Sequence, residues 1–262
     1  MTVELRTHDA VERAESERER IEGKVAAYER FAERVREASP DAGQRAATST
    51  RSAPGQSAGD ALAVGTSSVG NADGISVVRE AFRDIVLPYA DADSLPEAMA
   101  DELSPDLAAA LSPAAGAFAP GLADQLVLRA ETRTEECQLL ADATATERDR
   151  AREVADELDA VTDWVAETDE TPLLQLGFED LRERHDRLAD RRETCDRLVG
   201  ERQATIRGTR REGLTGIRER ELLDHLYGDF EESHPILADL TRVDDLLADC
   251  QRAVRRHLCA RV

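Results

Sequence analysis

Apolar residues recur at alternating three- and four-residue spacing through most of this chain. In His8–Ala38 the positions are Val11, Ala14, Arg18, Ile21, Val25, Tyr28, Ala32 and Val35. That spacing predicts one amphipathic helix with a coiled-coil-like seam holding a single arginine. Thr7 is placed to cap its start, and Ser39-Pro40 to end it. Ser39–Gly74 breaks the pattern: it is rich in Ser, Gly, Ala and Thr, and predicts a flexible linker or long loop. Ile75–Pro120 predicts several short helices, one with the apolar face Val77, Val78, Ala81, Phe82, Ile85 and Val86, stopped near Pro88. Ser94 and Ser104 are placed as N-caps, with Pro96 and Pro105 just inside the helices that follow.

Gly121–Thr168 has the length of one helix of about 70 Å at roughly 1.5 Å per residue. Its seam is Ala151, Val154, Leu158, Val161 and Val165. The stretch "DETPLLQLG" predicts a turn. A second long helix follows, with Leu181, His185, Leu188, Arg192, Cys195 and Val199 in its seam. Two long helices joined by a short turn should fold back antiparallel, although polar residues in both seams leave the register open. Gly208, Gly213 and Gly216 predict a break, "IRERELLDHLY" a shorter helix ended by Gly228, and Pro235–Cys259 a final helix capped by Ser233 or His234. The seam of that last helix is Ile236, Leu240, Val243, Leu247, Cys250, Val254 and His257 or Leu258.

The expected fold is therefore all-α: an elongated helical bundle built on a long antiparallel, coiled-coil-like hairpin. The expected organisation is an N-terminal helix within 1–38, a flexible linker at 39–74, a short-helix cap at 75–120, and a hairpin plus final helix at 121–262 packing with 8–38 as one bundle. The positions expected to pack or to meet a partner are Val11, Ile21, Val25, Val35, Val154, Leu158, Val161, Leu181, Leu188, Leu240, Val243 and Leu247. The same faces would serve a self-contained bundle or a dimer.

Charge changes the picture of the surface. The formal net charge is −21, and Lys24 is the single lysine among 34 basic residues. A large acid excess keeps a surface hydrated, and salt of about 1 M shortens the screening length to roughly 3 Å. This predicts a chain adapted to a salty cytoplasm. No 18-residue apolar run is present to span a membrane, and the first residues lack an apolar signal core, so a cytoplasmic location is expected.

Candidate chemistry is sparse. Cys137, Cys195, Cys250 and Cys259 are dispersed, with no CxxC, HxH or HExxH, and read as reduced, packed thiols. In the closing stretch "DCQRAVRRHLCARV", Cys250 and His257 lie about 10 Å apart along a helix, too far to grip one zinc ion. Glu231 to His234 has the spacing of a di-iron ligand pair but sits at a helix start beside Pro235 and has no twin. No G-x-S-x-G nucleophile turn and no glycine-rich phosphate cradle occurs. No cofactor, metal or enzymatic activity is expected. Arg182–Arg220 holds twelve arginines against eight acids, a local excess of the kind phosphate binding needs. Most of these arginines alternate with acids at helical spacing, which neutralises the face. Arg191, Arg192, Arg210 and Arg211 are the candidate nucleic-acid contacts, and none is flanked by a stacking aromatic. The arginines of the closing stretch complement the dipole of the final helix.

Three stretches, "AESERERIEGKVAAYERFAERVRE", "VVREAFRDIVLPYADADSLPEAMADELSPDLAAAL" and "HPILADLTRVDDLLADCQRAVRRHL", occur in this order with a variable linker after the first. In this the chain resembles an uncharacterised, helix-rich family of haloarchaeal proteins known only as a domain of unknown function. The resemblance implies a salt-adapted archaeal cytoplasm and carries over no activity, cofactor or catalytic residue. The expected function is that of a non-enzymatic interaction or scaffold protein, binding a protein partner or itself. The alternative is a regulatory protein touching nucleic acid through the arginines of 182–220.

Overall fold

The computed structural model describes residues 5–38, 69–115, 118–207 and 219–261. Among these the chain is all-α, with no strand. Eight helices follow in order: α1 (Thr7–Ala38), α2 (Val69–Ala81), α3 (Leu95–Glu102), α4 (Pro105–Ala110), α5 (Pro120–Asp169), α6 (Phe178–Ile206), α7 (Glu219–Tyr227) and α8 (Pro235–Cys259). The stretch expected as a linker ends earlier than its composition indicates, since α2 begins at Val69. The remainder of that stretch, 39–68, lies outside the described residues, as do Gly208, Gly213 and Gly216.

The described residues belong to two compact units, Met1–Arg18 with Leu140–Val262, and Glu19–Leu139. This division differs from the expected grouping of 75–120 as a cap and 8–38 with 121–262 as one bundle. The boundary falls inside α1 and α5, and each of these helices contributes one part to each unit.

In the first unit, α5 and α6 form an antiparallel hairpin. Glu147 pairs with Arg202 near one end, and Trp164 lies under Arg191 nearer the turn. Helix α8 packs along α6, also antiparallel: Arg192 meets Asp244, and Arg261, just past α8, reaches the turn before α6. The core is aliphatic, formed by Ala151, Val154, Leu158 and Val161 of α5, Leu181, Leu188 and Leu198 of α6, and Ile236, Leu240, Val243 and Leu247 of α8. Ala10 and Ala14 of α1, Leu222, Leu223, Leu226 and Tyr227 of α7, Cys195 of α6 and Val254 of α8 add to it. Each fully buried leucine is worth about 1.5–3 kcal/mol relative to an exposed one.

In the second unit, the stretch expected as a cap contributes core residues, among them Val78, Phe82, Met99, Leu103 and Leu111. Phe31 of α1 meets Phe82 edge-on, with ring centroids 5.5 Å apart. Helix α2 passes into a π-helical turn, Phe82–Val86, and a 3-10 turn, Leu87–Tyr89. Tyr89 lies so close to α1 that a Cβ at Gly23 would come within 2.6 Å of its ring. Helices α3 and α4 begin as the serines predict: Ser94 Oγ accepts from the Glu97 N–H at 3.4 Å and Ser104 Oγ from the Leu107 N–H at 3.1 Å. Glu102 is buried, and Lys24 Nζ donates to it at 2.6 Å, together with Tyr28 and Arg133. Three donors from α1 and α5 thus satisfy one carboxylate from α3.

Candidate interaction surface

Most of the seam positions are interior. Ile21, Val35, Val154, Leu158, Val161, Leu181, Leu188, Leu240, Val243 and Leu247 are buried, while Val11 and Val25 are half-buried. A buried residue is filled by its own chain, so these ten positions are core rather than docking surface. The α6 seam also runs differently from the apolar count. It buries Arg184, Leu198, Arg202 and Thr205, and leaves His185, Arg192 and Val199 half-buried. Arg202 is tolerated inside because Nη1 donates to Glu147 Oε2 at 2.9 Å and the Tyr227 hydroxyl donates to Oε1 at 2.9 Å. Arg184 has an Nη1 without a hydrogen-bond partner, and burial lowers its pKa against the pull of Asp169.

The candidate nucleic-acid arginines of α6 are engaged within the chain. Arg192 forms a two-point pair with Asp244, Nε to Oδ1 at 2.8 Å and Nη2 to Oδ2 at 3.1 Å. The Arg191 guanidinium stacks over Trp164, 4.5 Å from the ring centroid. Arg210 and Arg211 lie outside the described residues. Cys137 and Cys195 are buried, Cys250 is half-buried and Cys259 exposed, all as free thiols. Burial pushes the Cys195 thiol up to about 11. Among the described residues no group of three His, Cys, Asp or Glu side chains could hold a metal ion, and no helix is long and apolar enough to cross a membrane.

Four large apolar side chains are exposed among the described residues: Leu128 and Leu139 on α5, and Leu174 and Phe178. The first two stand three turns apart on a helix face, and scattered exposed leucines are ordinary. Leu174 and Phe178 are different, since Leu174 lies in the turn between α5 and α6 and Phe178 is the first residue of α6, just past it. Leu174 is 77% exposed and Phe178 45%. Leu173 and Leu176, beside them, pack against the first unit's core.

This turn is held from several sides. Leu173–Gln175 forms a 3-10 turn. The Gly177 N–H donates to Asp180 Oδ2 at 3.0 Å, which closes the start of α6. The Arg261 guanidinium gathers three carbonyls, donating to those of Leu176, of Leu174 at 3.1 Å and of Leu173 at 3.4 Å. Arg261 therefore does more than complement a helix dipole. It fastens the loop, so Leu174 and Phe178 stand on an ordered backbone with little further entropy to lose on binding. Asp169, Glu170 and Glu179 are exposed around them. Spacing alone marks 169–177 as a turn. Composition marks its surface role, because four apolar residues within Leu173–Phe178 are unusual where turns are normally polar.

A family model described as a domain of unknown function, DUF7260, matches residues 5–251. No curated protein and no solved structure matches the chain.

Proposed function

Since the chain belongs to the DUF7260 family, whose description attaches no activity to it, we propose from the geometry that it is a non-enzymatic interaction protein. It binds a protein partner through the turn between α5 and α6. One observation carries this reading: Leu174 and Phe178 are exposed on a turn fastened by Arg261. Aromatic residues such as Phe are enriched at interface cores, and a rigid support lowers the entropy cost of binding. A heterologous partner fits better than a second copy. Two such turns would bring Asp169, Glu170 and Glu179 against their own kind, whereas a pocket with a basic rim would complement them. The acid excess, with a net charge of −21, supports a setting of high salt, where contact through apolar anchors is favoured over long-range attraction. The internal pairing of Arg191 and Arg192 takes support away from the nucleic-acid alternative.

Photo-crosslinking in the native host tests the reading. A photoreactive residue in place of Leu174 should give one discrete protein adduct, and the same residue in place of exposed Glu183 should not. Equal, diffuse labelling from both positions would contradict the proposal. An adduct of twice the chain's own mass would replace the partner with a second copy.

A further inference from the structure

The second unit carries a concavity of about 270 Å³ between α2, its π-helical turn and the segment after α4. Its polar lining is Ser76, Arg79, Glu80 and Arg83, and Ile75, Pro113 and Ala115 form its apolar wall. We propose that this concavity binds a small organic phosphate monoester, with the phosphoryl group on Arg79 and Arg83 and the organic part against the apolar wall.

Charge is the first ground. In a chain of net charge −21, neither arginine is paired with a carboxylate among the described residues. Arg79 uses Nη1 on the Leu111 carbonyl at 2.8 Å, which leaves further donors of its guanidinium for a ligand. Arg83 is exposed, and among the described residues it forms no ion pair and Glu80 pairs with neither arginine. Ser76, Arg79 and Arg83 recur at intervals of three and four, so α2 and the start of its π-helical turn present them on one side. Two guanidinium forks suit the three acceptor oxygens of a dianion better than the two of a carboxylate.

Preorganisation is the second ground. The lining comes from two segments, α2 with its π-helical turn and the residues after α4, and two contacts fasten these segments together. One is the Arg79–Leu111 bond. The other is Gly74, one residue before Ile75, where a Cβ would come within 2.9 Å of the Phe118 ring. The concavity is thus built in before any ligand arrives. Its volume lies just under the range of about 300–1,000 Å³ of ordinary ligand sites, which selects a small molecule. Single-turn π-helical departures of this kind recur at functional sites.

Titration calorimetry on the full chain, with phenyl phosphate, benzoate and inorganic phosphate as separate probes, tests this at one fixed salt concentration. Phenyl phosphate should saturate a single site roughly tenfold or more tighter than benzoate. It should also bind tighter than inorganic phosphate, which cannot use the apolar wall. Arg83→Gln should weaken it at least about tenfold with an unchanged thermal transition, because Arg83 is exposed and forms no ion pair among the described residues. Arg182→Gln, on the other unit, should bind as the parent does. The proposal is overturned by no saturable heat from any probe up to about 10 mM, by benzoate binding as tightly as phenyl phosphate, or by Arg83→Gln matching the parent.

Discussion

Asp239 accepts both the backbone N–H of Thr7, at 2.7 Å, and the Thr7 hydroxyl, at 2.8 Å, across 232 positions of sequence. The carboxylate is fully buried and also takes a bond from Arg242 Nη1 at 2.7 Å. The first N–H groups of a helix have no partner within it, and a carboxylate there also meets the favourable end of the dipole. A residue of α8 therefore caps α1. Asp239→Ala should lower stability by about 2–4 kcal/mol, and Asp239→Asn by less, because the amide oxygen keeps one acceptor. Urea unfolding measures this, and a loss below about 0.5 kcal/mol would remove the cap from the account.

Glu147 and Arg202 form the buried ion pair of the α5–α6 hairpin, with side chains 3% and 4% exposed. Leaving either charge alone in the core should cost about 3–5 kcal/mol, so Glu147→Leu and Arg202→Met should each be severe. The double substitution should recover much of the loss. A double-mutant cycle by chemical denaturation checks it, and additive single effects would show that the two charges are not coupled.

Much of the fold is legible in the sequence because its ends are chemically marked. Pro235 and Cys259 bound α8 as the periodicity predicts, and Ser94 and Ser104 cap α3 and α4. What escapes the pattern has a physical reason in each case. A count of apolar residues places Glu147 and Arg202 outside, since only tertiary pairing makes their burial tolerable. That pair also helps set the hairpin register that the spacing leaves open. The start of α2 at Val69 is hidden by Gly and Ser, which score as linker whatever packs on them. The division between units leaves α1 and α5 unbroken, so no helix-breaking residue marks it. At the candidate surface the turn itself is legible, but its fastening by Arg261 is not, because the two segments lie more than 80 positions apart.

The buried hydroxyls and the paired carboxylates predict opposite pH limits. Burial, then Glu102, holds Tyr28 well above the usual tyrosine range, and burial, then the Glu147 charge, does the same for Tyr227. The neutral phenols stabilise the fold below about pH 10, and that contribution is lost as pH rises further. Burial pushes the Glu102 carboxyl up, but the donors Lys24, Tyr28 and Arg133 outweigh it and hold the group below its ordinary value. Glu15, between Arg18 and Arg148, is held at about 2. Both carboxylates stabilise above their ordinary value of 4.5, and the contribution fades as pH falls through their lowered values. Unfolding free energy measured from acid to alkaline pH should form a plateau with a fall at each end. Tyr227→Phe should flatten part of the alkaline fall, and an unchanged alkaline slope in that variant would contradict the assignment.

Thiol accessibility should separate the four cysteines. Cys259 is exposed and should react with a neutral thiol reagent in the folded chain, followed by half-buried Cys250. Cys137 and Cys195, whose thiols burial pushes up, should react only as the protein unfolds. Counting reacted thiols against time with and without denaturant measures it, and four equal rates in the native state would count against the packing described.

If the turn between α5 and α6 is a binding surface, replacing its two apolar side chains with glutamate should release the partner. Tagged parent chain and Leu174→Glu/Phe178→Glu chain are recovered side by side from the same nuclease-treated, high-salt native lysate and quantified by mass spectrometry. The account predicts a defined protein at near-equal molar yield with the parent and a loss of roughly tenfold or more with the double variant, while the unfolding transition stays in place. Recovery of the same proteins in the same amounts from both chains would contradict it.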